Sequence, residues 1–324
     1  MHVPPAQGPA PTITVLHGAD RPPGLADRVG SAELRFATDD TLADTLPGAD
    51  VLLVWDFTSD AVARAWPAAD TLRWVHTASA GVDRVTFPEL LCSDVVLTNS
   101  RGIFDAPMAE YVLGLVLAFA KDLPATLAAQ GRREWCHRET ERVAGSCAVV
   151  VGSGPIGRSV ARMLGCVGIR VELVGRRAAD GVHAFDALTG LLPLADHLVL
   201  AAPLTDATRG LLDARALASM KPTARVVNVG RGGLVVEDDL VDALRGGRIA
   251  GAALDVFAVE PLPTDSPLWD LPNVVVSPHM SGDVRGWRGE LVDAFAANLD
   301  RYRAGAPLHN VVDKRLGYVS GGAR

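Results

Sequence analysis

Cysteine is scarce in this chain of 324 residues: Cys92, Cys136, Cys147 and Cys166 are the only four, and no two share a paired spacing. That excludes a disulfide framework and a cysteine-based zinc site, and no metal is expected. Basic tracts are missing as well, so a chain with net charge −7 offers nucleic acid no footprint. The longest apolar stretch, Tyr111 to Ala120, is too short to cross a bilayer. The Pro-rich start, Met1 to Thr12, has neither the basic opening nor the apolar core of a secretory signal. A cytoplasmic protein with no membrane partner is the expectation. What is present is a hydrophobic content of 48%, typical of a soluble globular protein and, at this length, enough for two domains.

One stretch organises the rest. Val149 to Gly157 reads Val-Val-Val-Gly-Ser-Gly-Pro-Ile-Gly, an apolar run opening into Gly152-x-Gly154-x-x-Gly157. Ile156, Val160, Ala161, Met163 and Leu164 then recur at helical spacing, Gly165 is placed to cap that helix, and Arg170 to Val174 reads as the next strand. Strand, glycine turn and helix in that order predict dinucleotide binding, against the alternative of a plain chain reversal. Gly152 permits the turn, Gly154 lets backbone approach a pyrophosphate, and Gly157 lets helix and strand pack closely. Pro155 and Ile156 open the helix, whose free N–H groups and partial positive charge suit phosphate.

Before this turn, short apolar runs at Thr12 to Leu16, Val51 to Trp55, Leu72 to His76 and Val95 to Thr98 alternate with Ala-rich helical or turn segments. Ala106 to Leu123 is helical and apolar nearly all round. Arg132 to Arg142 reads as a charged, exposed connection around Trp135. After the turn, strands are expected near Val149, Val171, Leu198, Val226, Ala252 and Val275. Glu290 to Tyr302 is a helix with Leu291, Ala294, Phe295 and Leu299 on one face, expected to cross back to the first domain. The fold class is therefore α/β: two Rossmann-like domains with doubly wound parallel sheets. Residues 1–100 and 281–324 are expected to form a substrate-binding domain, and 101–280 a dinucleotide-binding domain. The apolar helix and Trp135 together predict a homodimer in which the helix packs on its counterpart and Trp135 reaches across. The alternative is a core helix under its own sheet and a surface tryptophan.

Ligands of open α/β sheets sit beyond the carboxyl ends of the strands. Past the predicted strands come Asn228-Val229-Gly230-Arg231, then Asp255 and Glu260, then Ser277-Pro278-His279, and in the first domain Thr77-Ala78-Ser79-Ala80-Gly81. Taken singly, an arginine in a glycine loop is a solvated charge and a histidine after proline a core residue; together they converge on one edge. The segments Val-Gly-Ser-Gly-Pro-Ile-Gly, Asn-Val-Gly-Arg-Gly-Gly-Leu-Val, Ala-Leu-Asp-Val-Phe-Ala-Val-Glu-Pro-Leu-Pro and Ser-Pro-His-Met-Ser-Gly resemble the signatures of the D-isomer-specific 2-hydroxyacid dehydrogenases, in order and spacing, over nearly the whole chain. The resemblance implies that Arg231 binds substrate carboxylate and carbonyl, that Glu260 partners His279, and that His279 is the acid/base. It places Ser79, Ala80 and Gly81 in the loop whose backbone N–H groups hold the carboxylate. It places Asp255 against the nicotinamide amide, and Met108, Pro203, Thr208, Val229, Gly230 and Gly282 along the cofactor. Homodimers through the cofactor domain are implied too.

The chemistry suits these roles. A 2-oxo acid takes a hydride on carbon and a proton on oxygen; histidine titrates near neutrality, a neighbouring carboxylate keeps it protonated, and an arginine fork reads a carboxylate. Small residues at 80 and 81 let N–H groups approach, and closure of two domains would exclude water. One feature departs from an NAD enzyme, which places an acid about twenty residues past the glycine turn to bind the ribose 2′-OH. Here Gly175, Arg176 and Arg177 stand at that strand end, while Glu172 lies too early. Without the acid nothing repels a 2′-phosphate, so NADP(H) is expected over NAD(H). The expected function is reduction of small 2-oxo acids, glyoxylate and hydroxypyruvate first. The alternative is a catalytically weak, nucleotide-sensing interaction protein of the corepressor type on the same fold. Trp55, Phe57 and Trp287 either narrow the substrate pocket or pack in the core.

Overall fold

Short runs of β-branched and aliphatic residues set the strands. In the computed structural model, which describes residues 10–319, the first five are Thr12–Leu16 (β1), Glu33–Ala37 (β2), Val51–Val54 (β3), Trp74–Thr77 (β4) and Val96–Asn99 (β5). They pair in parallel in the order β2-β1-β3-β4-β5. β3, β4 and β5 are buried along their whole length, as strands covered on both faces must be. β2 is the strand that the apolar pattern misses. It sits at the sheet edge with charged Glu33 and Arg35 toward solvent and pairs with β1 alone. The reading of the Pro-rich start falls largely on residues 1–9, outside the described residues.

A second parallel sheet follows: Cys147–Val151 (β6), Arg170–Gly175 (β7), His183–Ala184 (β8), His197–Leu200 (β9), Arg225–Asn228 (β10), Gly251–Leu254 (β11) and Val274–Val276 (β12). Its order is β12-β11-β10-β9-β6-β7-β8, so the direction of winding reverses between β6 and β9. Six of these strands lie where the apolar runs predict them; β8, two residues long, carries no such run.

Among the described residues, 10–103 with 284–319 form one compact unit and Phe104–Asp283 the other. Both crossings fall three residues beyond those expected. The Trp287–Arg303 helix explains the return to the first unit: it buries Leu291, Val292, Phe295, Leu299 and Tyr302. Trp74 of β4 stacks on Phe295 at 5.2 Å and on Tyr302 at 5.6 Å.

In the second unit the Asp105–Ala120 helix buries Ala109, Val112, Leu115, Val116 and Ala120, and the first four join the cluster around β6, β9 and the Pro155–Cys166 helix. Part of its apolar surface is thus covered by its own unit, while Leu113 and Phe119 are only partly buried. Asp122, in the left-handed region at φ 49°, breaks the helix, and a separate one runs from Leu123 to Arg132. The exposed connection therefore starts later than expected, and Trp135 within it is 99% exposed. Gly165 does not cap the Pro155–Cys166 helix. It lies inside the last turn, and Gly168, at φ +81°, makes the reversal. No single helix among the described residues is long and apolar enough to cross a membrane.

Candidate active site

Three glycines do three different things beyond β6. Gly152 has φ +121°, and a Cβ there would lie 2.5 Å from the Ala201 carbonyl oxygen, so only glycine lets β6 and β9 end side by side. A Cβ on Gly157 would fall on the carbonyl oxygen of Gly152, so the helix meets the turn backbone to backbone. Gly154, exposed at the helix N-cap, has open space where its Cβ would point. Pro155 takes the first helical position and Ile156 the second, both half-buried. The result is a cleared cradle at the N-terminus of a twelve-residue helix, beside the reversal of winding, and its donors fit a pyrophosphate.

Around this cradle stand the other residues assigned to the cofactor. Thr208 Oγ1 donates to the Pro203 carbonyl at 2.8 Å and accepts from the Thr205 N–H, so it shapes the loop after β9. Val229 is buried, and a Cβ on Gly230 would lie 2.9 Å from the Ala202 carbonyl oxygen. Met108 and Gly282 come together: a Cβ on Gly282 would meet the Phe104 ring at 2.7 Å and Met108 at 3.5 Å. Arg176 and Arg177 are exposed just past β7. A Cβ on Gly175 would meet the Ser153 hydroxyl and a Val182 methyl group, so any side chain at position 175 requires both neighbours to shift. Glu172 faces away to His183, with 2.8 Å between Oε2 and Nε2.

The second constellation lies at the ends of β10, β11 and β12. Asn228, buried, accepts the Gly230 N–H and donates to the Arg231 carbonyl, and this closes the turn that carries Arg231. A Cβ on Gly232 would fall on the backbone of Phe257, so the loops after β10 and β11 pack main chain to main chain. That contact brings the half-buried Arg231 near Glu260. One Glu260 oxygen, Oε1, accepts the Phe257 N–H at 2.9 Å, and the other, Oε2, meets His279 Nδ1 at 2.8 Å. Burial alone would raise the Glu260 carboxyl, but hydrogen bonds from His279 and Phe257 and the charges of His279 and Arg231 outweigh it and hold the carboxyl below its ordinary value. Glu260 is therefore an anion at neutral pH, and with Nδ1 turned to it, the other ring nitrogen, Nε2, faces away.

His279 itself sits at φ +52°, a costly conformation for a non-glycine residue, and the loop around it is pinned. Asp255, 1% exposed, accepts from the Ser277 hydroxyl and the Met280 N–H through Oδ1 and from the Ser281 N–H through Oδ2. The Tyr111 phenol lies near Ser277 and Asp255, and burial raises its pKa. Asn228, Ser277 and Tyr111 are support that sequence reasoning did not assign. Only their position beside the motifs hints at it.

The loop of Ser79, Ala80 and Gly81 belongs to the other unit, past β4, and all three residues are half-buried. Ser79 Oγ donates to the Gly81 carbonyl at 2.6 Å and bonds Thr77 Oγ1 at 3.0 Å. Trp55 is buried at the end of β3, which is the core-packing outcome, while Phe57 and Trp287 are half-buried.

Comparison with known proteins agrees with this geometry. The family model described as the NAD binding domain of D-isomer specific 2-hydroxyacid dehydrogenases matches residues 113–281. Glyoxylate/hydroxypyruvate reductase A of Serratia proteamaculans is 31% identical, over 91% of this chain and 95% of that one. D-3-phosphoglycerate dehydrogenase of Mycobacterium tuberculosis is 37% identical over 79% of this chain, which spans about half (49%) of that relative's length. Among solved structures, an NADPH-dependent glyoxylate/hydroxypyruvate reductase from Sinorhizobium meliloti, in complex with NADP and sulfate, superimposes with a TM-score of 0.80 at 30% identity, covering 95% of this chain and all of that one. A glycine cradle, a loop histidine paired to glutamate and likeness along nearly the full chain lead to one assignment: the chain belongs to the D-isomer specific 2-hydroxyacid dehydrogenases.

Proposed function

We propose that this protein reduces small 2-oxo acids to D-2-hydroxy acids with NADP(H), glyoxylate and hydroxypyruvate being the first candidates. The observation that carries the reading is the His279–Glu260 pair with Arg231 beside it, in the same unit as the glycine cradle. Bound along that cradle, the cofactor supplies the hydride. Gly152, Gly154 and Gly157 admit its pyrophosphate, and Pro203, Thr208, Val229, Gly230, Met108 and Gly282 line its path. Arg231 pairs with the substrate carboxylate and polarises the carbonyl. His279 delivers its proton from Nε2 to the carbonyl oxygen, while Glu260 stabilises the imidazolium through Nδ1. Ala80 and Gly81 offer backbone N–H groups to the carboxylate. Arg176 and Arg177, exposed just past β7 where glycine holds the strand's last position, favour a cofactor carrying a 2′-phosphate; the NADP in the similar Sinorhizobium structure supports that choice.

Steady-state turnover with NADPH and a panel of 2-oxo acids tests the reading. Glyoxylate or hydroxypyruvate should be reduced, and His279→Ala should lower kcat by about 10²-fold or more with NADPH binding intact. A parent protein that turns over none of the panel, or a His279→Ala variant with full kcat, ends it.

The assembly we propose is a homodimer through the cofactor unit. Leu123 and Leu127, one turn apart and both exposed on the Leu123–Arg132 helix, and the fully exposed Trp135 just beyond it support this assembly, since neighbouring exposed apolar side chains mark interaction surfaces. Sedimentation at micromolar concentration should give twice the 34.0 kDa chain mass. A monomer refutes it.

A further inference from the structure

The carboxylate loop of the first unit rests on a buried polar network that the chemistry above does not use. Its members are Trp74, His76 and Thr77 on β4, and Thr98, Asn99 and Ser100 on or just past β5, every one at most 3% exposed. Thr98 Oγ1 accepts the Trp74 indole N–H at 2.7 Å and bonds His76 Nδ1 at 2.8 Å. Ser100 Oγ donates to the Thr77 carbonyl at 3.1 Å and lies 3.3 Å from His76 Nε2. Burying six polar side chains is costly unless each is bonded, and here each is.

The upper layer of this network grips the loop by its carbonyls. The Ser79 carbonyl accepts the Ser100 N–H at 2.9 Å. The Ala80 carbonyl accepts Asn99 Nδ2 at 2.5 Å. In a trans peptide the carbonyl and the following N–H point in opposite directions. Holding the Ser79 carbonyl inward therefore turns the Ala80 N–H outward, and holding the Ala80 carbonyl inward turns the Gly81 N–H outward. Those are the two donors assigned to the substrate carboxylate. The first grip is main chain to main chain; the second depends on one side chain. Asn99 is itself oriented, because its Oδ1 accepts the Arg101 N–H at 3.3 Å.

We infer that Asn99 is a positioning residue for substrate binding: its side-chain amide fixes the Ala80–Gly81 peptide so that the Gly81 N–H faces the carboxylate. Asn99 touches neither substrate nor reacting atoms and acts through the loop. The inference rests on the proposed role of that loop, so the test separates the two.

Asn99→Ser is the informative variant. A serine oxygen still accepts from the residue two positions on, as in local side-chain turns, but does not reach Ala80. It should raise KM for the 2-oxo acid and Ki for oxamate, a carboxylate probe, by about tenfold or more, while NADPH affinity and kcat stay within about threefold. Asn99→Ala should match it. If Asn99→Ser behaves as the parent, Asn99 serves only its local turn and the inference falls. Ala80→Val tests the loop on its own by crowding its outward side. An unchanged oxamate Ki in that variant refutes the loop's role, whereas a raised Ki beside a normal Asn99→Ser refutes only the role of Asn99. The parent protein gives a measurement that needs no variant. The Asn99 side-chain amide should exchange slowly in ¹⁵N spectra and shift on oxamate addition, and an amide that exchanges freely with oxamate bound overturns the inference.

Discussion

Both units are doubly wound parallel sheets, and each reverses its winding once, between β1 and β3 in the first and between β6 and β9 in the second. Such reversals open crevices in which ligands settle, yet these two are furnished in opposite ways. Past β6 the chain is stripped to backbone, and the position facing out, Gly154, has nothing where a side chain would stand. Past β1 and β3 a carboxylate moves in: Asp56 Oδ2 would lie 2.7 Å from a Cβ on Gly18, and Oδ1 takes the N–H and hydroxyl of Thr58. The first unit places its polar groups under the loop after β4 instead. Topology nominates a crevice, and it becomes a nucleotide site only where side chains are removed from it.

The most severe way to break this contrast is to put a side chain back. Gly157→Ala drives a methyl group into the Gly152 carbonyl, a backbone atom that has nowhere to go. Overpacking of this kind costs about 1–3 kcal/mol, so the melting temperature of the second unit should fall, and the distorted turn should weaken NADPH by up to about 100-fold. Gly154→Ala meets open space and should keep the parent melting temperature while still weakening NADPH. Fluorescence titration and calorimetry read both, and equal melting temperatures for the two variants would erase the distinction between packing glycine and access glycine.

A smaller change sharpens the contrast at the far end of the cradle. Replacing Arg176 and Arg177 by Ala should weaken NADPH by about tenfold or more and leave NADH nearly untouched, since charge-assisted hydrogen bonds to the 2′-phosphate are worth about 1.5–3 kcal/mol each. Equal losses for both cofactors would deny the arginines that role.

What was legible in the chain follows the same division. The glycine turn, its strand and its helix lie within thirty residues, so their spacing alone displays them. Arg231, Glu260 and His279 stand out as candidates because each lies within six residues past the end of an apolar strand. The support beneath them does not: Asn228 looks like part of a turn and Tyr111 like one more apolar residue of a helix, while Asp255, read only as a cofactor contact, gives no sign in the sequence of its bonds to residues more than twenty positions away. The network of β4 and β5 is hidden for the same reason, since Trp74 and Thr98 meet across twenty-four residues of chain. Edge strand β2 escaped because half-exposed Glu-Leu-Arg-Phe-Ala has no apolar run to announce it. The helix break at Asp122 depends on a left-handed backbone angle that no composition encodes.

The smallest expected effect concerns the first unit alone. Burial pushes the His76 ring down to about 3 from an ordinary 6.5. Folded, the ring stays neutral; unfolded, it takes a proton near 6.5. The stability it confers is therefore complete above about pH 6.5 and declines as pH falls toward 3, by at most about 1.4 kcal/mol per pH unit. His76→Gln should flatten the fall in melting temperature between about pH 6.5 and 5, above the carboxylate range. His197, buried in the second unit and also lowered by desolvation, should keep its own share of the slope. An unchanged slope in the variant would show that His76 titrates normally.

The Trp287–Arg303 helix has a consequence for the order in which the molecule is made. Synthesis runs from the N-terminus, so β1 to β5 leave the ribosome first, and the helix that stacks Phe295 and Tyr302 on Trp74 leaves only after all of Phe104–Asp283. The first unit waits with Trp74 uncovered by these two rings for about 180 residues of translation, roughly ten to forty seconds at common elongation rates. The second unit, continuous in sequence, has every residue it needs before the first does. A nascent chain stalled before Val284 should thus present a finished nucleotide-binding unit beside a sheet that chaperones still cover.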